Sequence, residues 1–246
     1  MIWGTFSTVH FISLLFVMLI GIGLYWFLRT KTQKLQTLIL GILSFSGVSA
    51  ILFNLLMWDS PLEYLPLHLC SLNALILPAV VFSRNKVLGN LLLLWSLGAL
   101  IALVLNYSVA QAELISPVFW FYYLPHALEF IIPILLFALG HIELDRRCIL
   151  STLGITFAVF TLIHPINLAI NDYCAANNIL NPAGQLIQVN YMFTVNPDNP
   201  LLELFYTIIP ASYWYLYLCI PVIAVYLGAI YGIHGLITGK QKILIN

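Results

Sequence analysis

Long apolar runs alternate with short polar links along the whole chain. Reading from the N-terminus, the runs fall at Thr5–Leu28, Leu35–Met57, Leu65–Phe82, Val87–Leu105, Pro117–Leu139, Cys148–Ile170 and Pro210–Gly232. Each is close to the roughly 20 apolar residues that an α-helix needs to cross a bilayer core. None shows the short alternation of a transmembrane β-strand. The pattern therefore predicts an all-α polytopic membrane protein with seven transmembrane helices, one seven-helix domain over residues 1–246. Between the sixth and seventh runs lies a polar stretch, residues 171–209. It is too long for an ordinary connection and is expected to be a re-entrant or interfacial loop. Within it, Leu201–Phe205 is expected to form a short helix lying in the interface, separated from the last span by Pro210.

Composition agrees with this class. The 246 residues are 62% hydrophobic and only 7% charged, whereas charged residues make up about a quarter of a soluble domain. Formal net charge is zero, so nothing points to nucleic acid as a partner. The four cysteines, Cys70, Cys148, Cys174 and Cys219, form no CxxC pair and no metal-ligand spacing. No metal or cofactor is expected. Cys174 is expected in an external loop.

The basic residues orient the chain. All nine Lys and Arg lie in the links after the first, third and fifth runs and in the tail, which holds Lys240 and Lys242. With seven spans, these four segments share one side, and the positive-inside rule makes that side cytoplasmic. The N-terminus is then outside and the C-terminus cytoplasmic. Trp58, Tyr64, Trp120, Tyr122, Tyr123, Tyr213, Trp214 and Tyr215 fall near the outer interface, where amphipathic rings settle. The expected location is the cell membrane, with lipids as surroundings. The oligomeric state is not legible.

Polar side chains inside spans are costly, so they ordinarily face a bundle interior and mark function. Here they cluster in the outer half: His68, Cys70 and Asn73 in the third span, His126 and Glu129 in the fifth, His164 and Asn167 in the sixth. On a continuous helix His68 and Cys70 lie about 200° apart, so His68 is not the base for Cys70. His126 and Glu129 share a face, the arrangement of a general base with an orienting carboxylate. Each feature also has an inert reading. A cysteine in an apolar helix is ordinarily a small hydrophobe. His126 with Glu129 also suits an interhelical hydrogen-bonded pair, and His164-Pro165 suits a satisfied kink. His10, His141 and His234 sit at span ends, as interface residues do.

Leu65-Pro66-Leu67-His68-Leu69-Cys70-Ser71, a histidine in the fifth span, Asn190-Tyr191-Met192-Phe193 before the last span and Tyr213-Trp214-Tyr215 at its start resemble the YwaF-type bacterial membrane proteins. That family is similar to the eukaryotic transmembrane protein 164 acyltransferases of ether phospholipids. The resemblance covers nearly the whole chain in span number and motif order. It implies a cysteine nucleophile at Cys70 and a matching base at His126. Bacterial members tend to have Ser-His-Gly at the fifth-span histidine, where this chain has Pro125-His126-Ala127. They also tend to have Trp-Pro where it has Ala211-Ser212.

The expectation that follows is a phospholipid acyltransferase or lipid-ester hydrolase with Cys70, His126 and Glu129 catalytic. His68, Asn73, His164, Asn167, Asn190 and Tyr191 are the candidates for binding the substrate, with Asn73 or Asn190 donating to the oxyanion. The competing expectation is a receptor or transporter-like protein that binds a small molecule in a polar outer cavity.

Overall fold

The computed structural model describes residues 1–105 and 109–244, and residues 236–244 by backbone alone. Asn106, expected to open the link after the fourth span, and the side chains of Lys240 and Lys242 lie outside the described residues. The chain is all-α, with helices α1 Thr8–Leu28, α2 Gln33–Ser44, α3 Ser46–Met57, α4 Leu69–Ser83, α5 Lys86–Leu105, α6 Pro117–Ala138, α7 Cys148–Ala176, α8 Pro200–Ile208 and α9 Cys219–Leu244. No β-strand occurs among the described residues, only the isolated bridges Ile2–Glu113 and Leu180–Leu186. Six segments are long and apolar enough to cross a membrane, with α2 and α3 counting as one and Trp214–Gly235 as the last. The helix α4 is shorter, at 15 residues.

The centre of the bundle is α4, α5 and α6. Residues Gly89–Ser96 of α5 are buried without a break, and α6 buries Phe119, Tyr123, Ala127, Leu128, Ile131 and Ile132 against the same core. Helices α2 and α3 pack on one side and α7 on the other, while α1 leans chiefly on α6. Outward faces of α1 carry Phe11, Leu15, Phe16 and Met18, all exposed, as hydrocarbon surroundings permit.

Three spans depart from continuous helices, and the last of them, expected from Pro210, opens with the 3₁₀ turn Trp214–Leu218 ahead of α9. The second span is broken at Phe45, whose N–H turns back to the Ile42 carbonyl at 3.3 Å. The Gly41-Ser44-Ser46-Gly47 cluster supplies the ordinary cause of such a kink: Ser44 Oγ donates to the Gly41 carbonyl at 2.6 Å. The third span does not begin at Leu65. Leu65 precedes Pro66, which disfavours the helical conformation, and Leu67 N–H closes a tight turn on Leu65 O at 2.7 Å. The helix starts at Leu69 with His68 as its N-cap. Non-helical backbone at such depth is tolerated where protein or a cavity covers it.

The three described basic links meet at one end. Arg84 donates to Thr37 Oγ1 at 3.0 Å, and His141 bonds Gln36 Oε1 at 2.8 Å. Lys86 pairs with Asp145 at 2.7 Å and with Glu143 at 3.4 Å. At the opposite end the N-terminus folds over the bundle. Trp3 N–H bonds Ala112 O, and Leu114 N–H bonds Met1 O. The Trp3 indole is wholly buried among His10, Phe119, Tyr122 and Tyr123. His10 is therefore not an interface residue. It is fully buried, accepts from Phe6 N–H at Nδ1, and donates from Nε2 to Leu103 O at 2.8 Å. His141 is buried as well. Cys174 lies in α7, which runs on to Ala176, and is fully buried rather than in a loop.

Candidate functional site

A cavity of about 450 Å³ opens between α3, α4 and α6. Its walls hold Cys70 and Ser71 from α4, Asn54 from α3, and Tyr122, His126 and Glu129 from α6, with Trp58 and Tyr64 at the rim. Those two rings stack at 5.8 Å. The volume falls within the usual range for small-molecule sites.

Cys70 is the second residue of α4. The N–H groups that open a helix have no intrahelical acceptor. Those of Leu69, Cys70 and Ser71 meet no backbone carbonyl among the described residues, and the His68 side chain makes no capping bond. The Cys70 and Ser71 N–H groups and the Ser71 hydroxyl instead turn to the Cys70 sulfur, which stands at the positive end of the helix dipole.

On α6, His126 Nδ1 lies 2.7 Å from the Tyr122 carbonyl, and its ring stacks on Tyr122 at 4.3 Å. A carbonyl only accepts, so Nδ1 carries the proton and Nε2 keeps its lone pair. The Tyr122 carbonyl, and not Glu129, orients the ring: among the described residues no hydrogen bond joins His126 to Glu129. Glu129 is buried, its Oε2 without a partner. Asn73 is also buried and approaches that carboxyl, yet neither its oxygen nor its nitrogen makes a hydrogen bond. Gly47 makes room for Glu129 and Ala74. A Cβ there would stand 2.5 Å from the Ala74 Cβ and 2.9 Å from Glu129 Oε1.

The other expected residues gather elsewhere. Asn167 donates to Tyr191 O and Thr194 Oγ1, each at 2.8 Å, and accepts from Tyr191 N–H at 3.0 Å. Asn190 accepts from Val195 and Asn196 N–H and donates to Asn196 O. Tyr191 OH donates to Leu62 O, and His68 Nδ1 accepts from Met192 N–H at 3.3 Å. Together these contacts clasp residues 189–196 onto α7 and onto the approach to α4. His164 stands at Tyr213, ring centroids 5.2 Å apart. None of His68, His164, Asn167, Asn190 and Tyr191 lines the cavity. Asn54 and Tyr64 do, and the sequence reading had not assigned either to the site. A polar residue on an otherwise apolar face of α3 was the available signal for Asn54.

Helices of membrane-crossing length around a polar cavity define a helical integral membrane protein. The profile of the TMEM164 family matches residues 5–231, nearly the whole chain, and the chain belongs to that family. No curated protein and no solved structure matches it.

Proposed function

We propose that the chain is a seven-span, N-out membrane enzyme that transfers or hydrolyses a phospholipid acyl group through a cysteine acyl-enzyme. One observation carries the reading. Cys70 and His126 share one cavity, and the Tyr122 carbonyl leaves His126 Nε2 as the basic nitrogen. In this mechanism the Cys70 sulfur attacks the ester carbonyl carbon while His126 Nε2 takes the thiol proton. The oxyanion is met by the N–H groups of the first turn of α4, which have no carbonyl partner. Collapse expels the lipid alkoxide, which takes the proton from His126 and leaves a thioester on Cys70. An acceptor hydroxyl, or water, then attacks the thioester, its proton passing through His126 back to sulfur. The Glu129 carboxyl, one turn further along α6, stabilises the transient imidazolium.

The unpaired atoms of Asn73 and Glu129 favour a second reading, a non-enzymatic protein that binds a small polar ligand. Labelling with a thiol-reactive acyl-lipid probe separates the two. An enzyme gives one adduct, at Cys70, that disappears in Cys70→Ala and weakens in His126→Ala. No adduct at Cys70 overturns the acyl-enzyme.

A further inference from the structure

A second cavity, of about 600 Å³, lies on the far side of the bundle between α7 and α9 and shares no lining residue with the first. It exists because α9 packs on α5 and on the 3₁₀ turn Trp214–Leu218 rather than closely on α7. The side facing α7 is small: Ala224 and Gly228 sit one turn apart, and a Cβ on Gly228 would meet nothing within 4 Å. The polar groups in the wall are satisfied within the protein. Thr156 Oγ1 accepts from Trp95 Nε1 at 2.9 Å, and Tyr231 OH reaches Asn90 Oδ1 and Asp145 O. What remains to an occupant is hydrocarbon wall. The stretch of α7 from Ile149 to Phe160 is about 17 Å long at the helical rise. That is a little over half of a bilayer core of about 30 Å, the length of one lipid tail.

Among the described residues, one end offers charge. Arg146 lines the cavity there, exposed, and among the described residues no carboxylate lies within 4 Å of it. The neighbouring carboxylates Glu143 and Asp145 are both engaged by Lys86. A guanidinium at the mouth of a lipid-length apolar cleft suits a phosphate. We propose that this cleft is a binding site for one glycerophospholipid, its acyl chain along α7 and its phosphate on Arg146, drawn from the leaflet on the basic side.

The test is photocrosslinking of the full-length protein in nanodiscs, with phosphatidylglycerol carrying a diazirine in its acyl chain. Diacylglycerol with the same chain is the arm without phosphate. Adducts should concentrate in Ile149–Phe160 and Ile220–Tyr231, several-fold above the exposed face of α1. Ala224→Trp, and independently Gly228→Leu, should remove them, while Cys70→Ala should leave them unchanged. Arg146→Ala should lower the phospholipid signal about fivefold, the weight of one basic residue at a membrane surface, down to the diacylglycerol level. Equal labelling of α1, persistence of the adducts in both groove-filling variants, or equal labelling by the two lipids would each overturn the proposal.

Discussion

At the scale of single residues, the site turns on which nitrogen, which sulfur and which backbone donors face one another. Cys70 stands where a helix begins and its first N–H groups have no carbonyl partner. His126 has its tautomer set by its own helix. If the thiol is the nucleophile, Cys70→Ala abolishes lipid turnover and Cys70→Ser leaves little. Both changes are nearly isosteric, so stability should fall by only about 1 kcal/mol, read as a small shift of the melting curve in detergent. Retained turnover in well-folded Cys70→Ala would eliminate the thioester route. His126→Ala should cost about 10²- to 10⁴-fold in kcat, the usual weight of a positioned base. His68→Ala removes a single acceptor from Met192 N–H. It should cost about 1 kcal/mol of stability and little in rate. A larger rate loss for His68→Ala than for His126→Ala would reverse the two roles. Glu129→Gln keeps the shape and removes the ionisable group. Reduced kcat with an unchanged melting curve is the expected result, and normal kcat would leave Glu129 a packing residue.

At the scale of elements, the helices were legible in the apolar runs and the interruptions mostly were not. The short helix after Asn199 could be read from Pro200 at its first turn and from the apolar residues around Glu203. The true start of α4 was also written in Pro66, but continuous hydropathy through Leu65–Leu69 concealed it. The kink at Phe45 was hidden because serine and glycine in an apolar run read equally well as ordinary span residues. The α7 helix outruns its apolar stretch for a tertiary reason. Asn171 holds Val189 through both N–H and carbonyl, at 2.7 and 3.0 Å, so polar residues that resemble a loop stay helical. For the same reason Asn167 and Asn190 resembled substrate ligands. Their partners lie in a segment whose return path hydropathy does not encode. Two variants test these elements. Asn167→Leu strands Tyr191 N–H and Thr194 Oγ1, and should cost on the order of 2–3 kcal/mol. Hydrogen exchange should rise first in residues 189–195. Unchanged protection there would mean the clasp does not hold the loop. Gly47→Ala forces a Cβ into Ala74 and Glu129. It should cost about 1–3 kcal/mol and lower turnover, because α3 must move off the cavity. A fully active, fully stable Gly47→Ala would mean that α3 and α4 separate freely.

At the scale of the whole molecule, the remaining question is how the bundle sits in the membrane. The links bearing Arg29 to Lys34, Arg84 to Lys86 and Arg146 to Arg147 come together at one end. The folded N-terminus and the Trp58–Tyr64 stack lie away from them, with the cavity of Cys70 between α3, α4 and α6. An even number of crossings would put the first and last residues on one side. For that to hold, α4, at 15 residues and about 22 Å, would have to enter and leave by the same face. Yet α4 joins the stretch carrying Trp58 and Tyr64 to Arg84 at the basic end, and in the proposed arrangement Pro61–His68 adds the length it needs to cross. On the proposed reading this makes seven crossings with basic ends inside. The buried Cys174 cannot report on this, but two exposed positions can. Ala183→Cys, in the segment after α7, should react with a membrane-impermeant maleimide on intact cells. Lys34→Cys, in the first turn of α2, should react only after permeabilisation. The unmodified protein, with Cys148 and Cys174 buried and Cys70 and Cys219 half-buried, sets the background. Labelling of Lys34→Cys on intact cells, or protection of Ala183→Cys, would invert the protein in the membrane and place the Cys70 cavity toward the cytoplasmic leaflet.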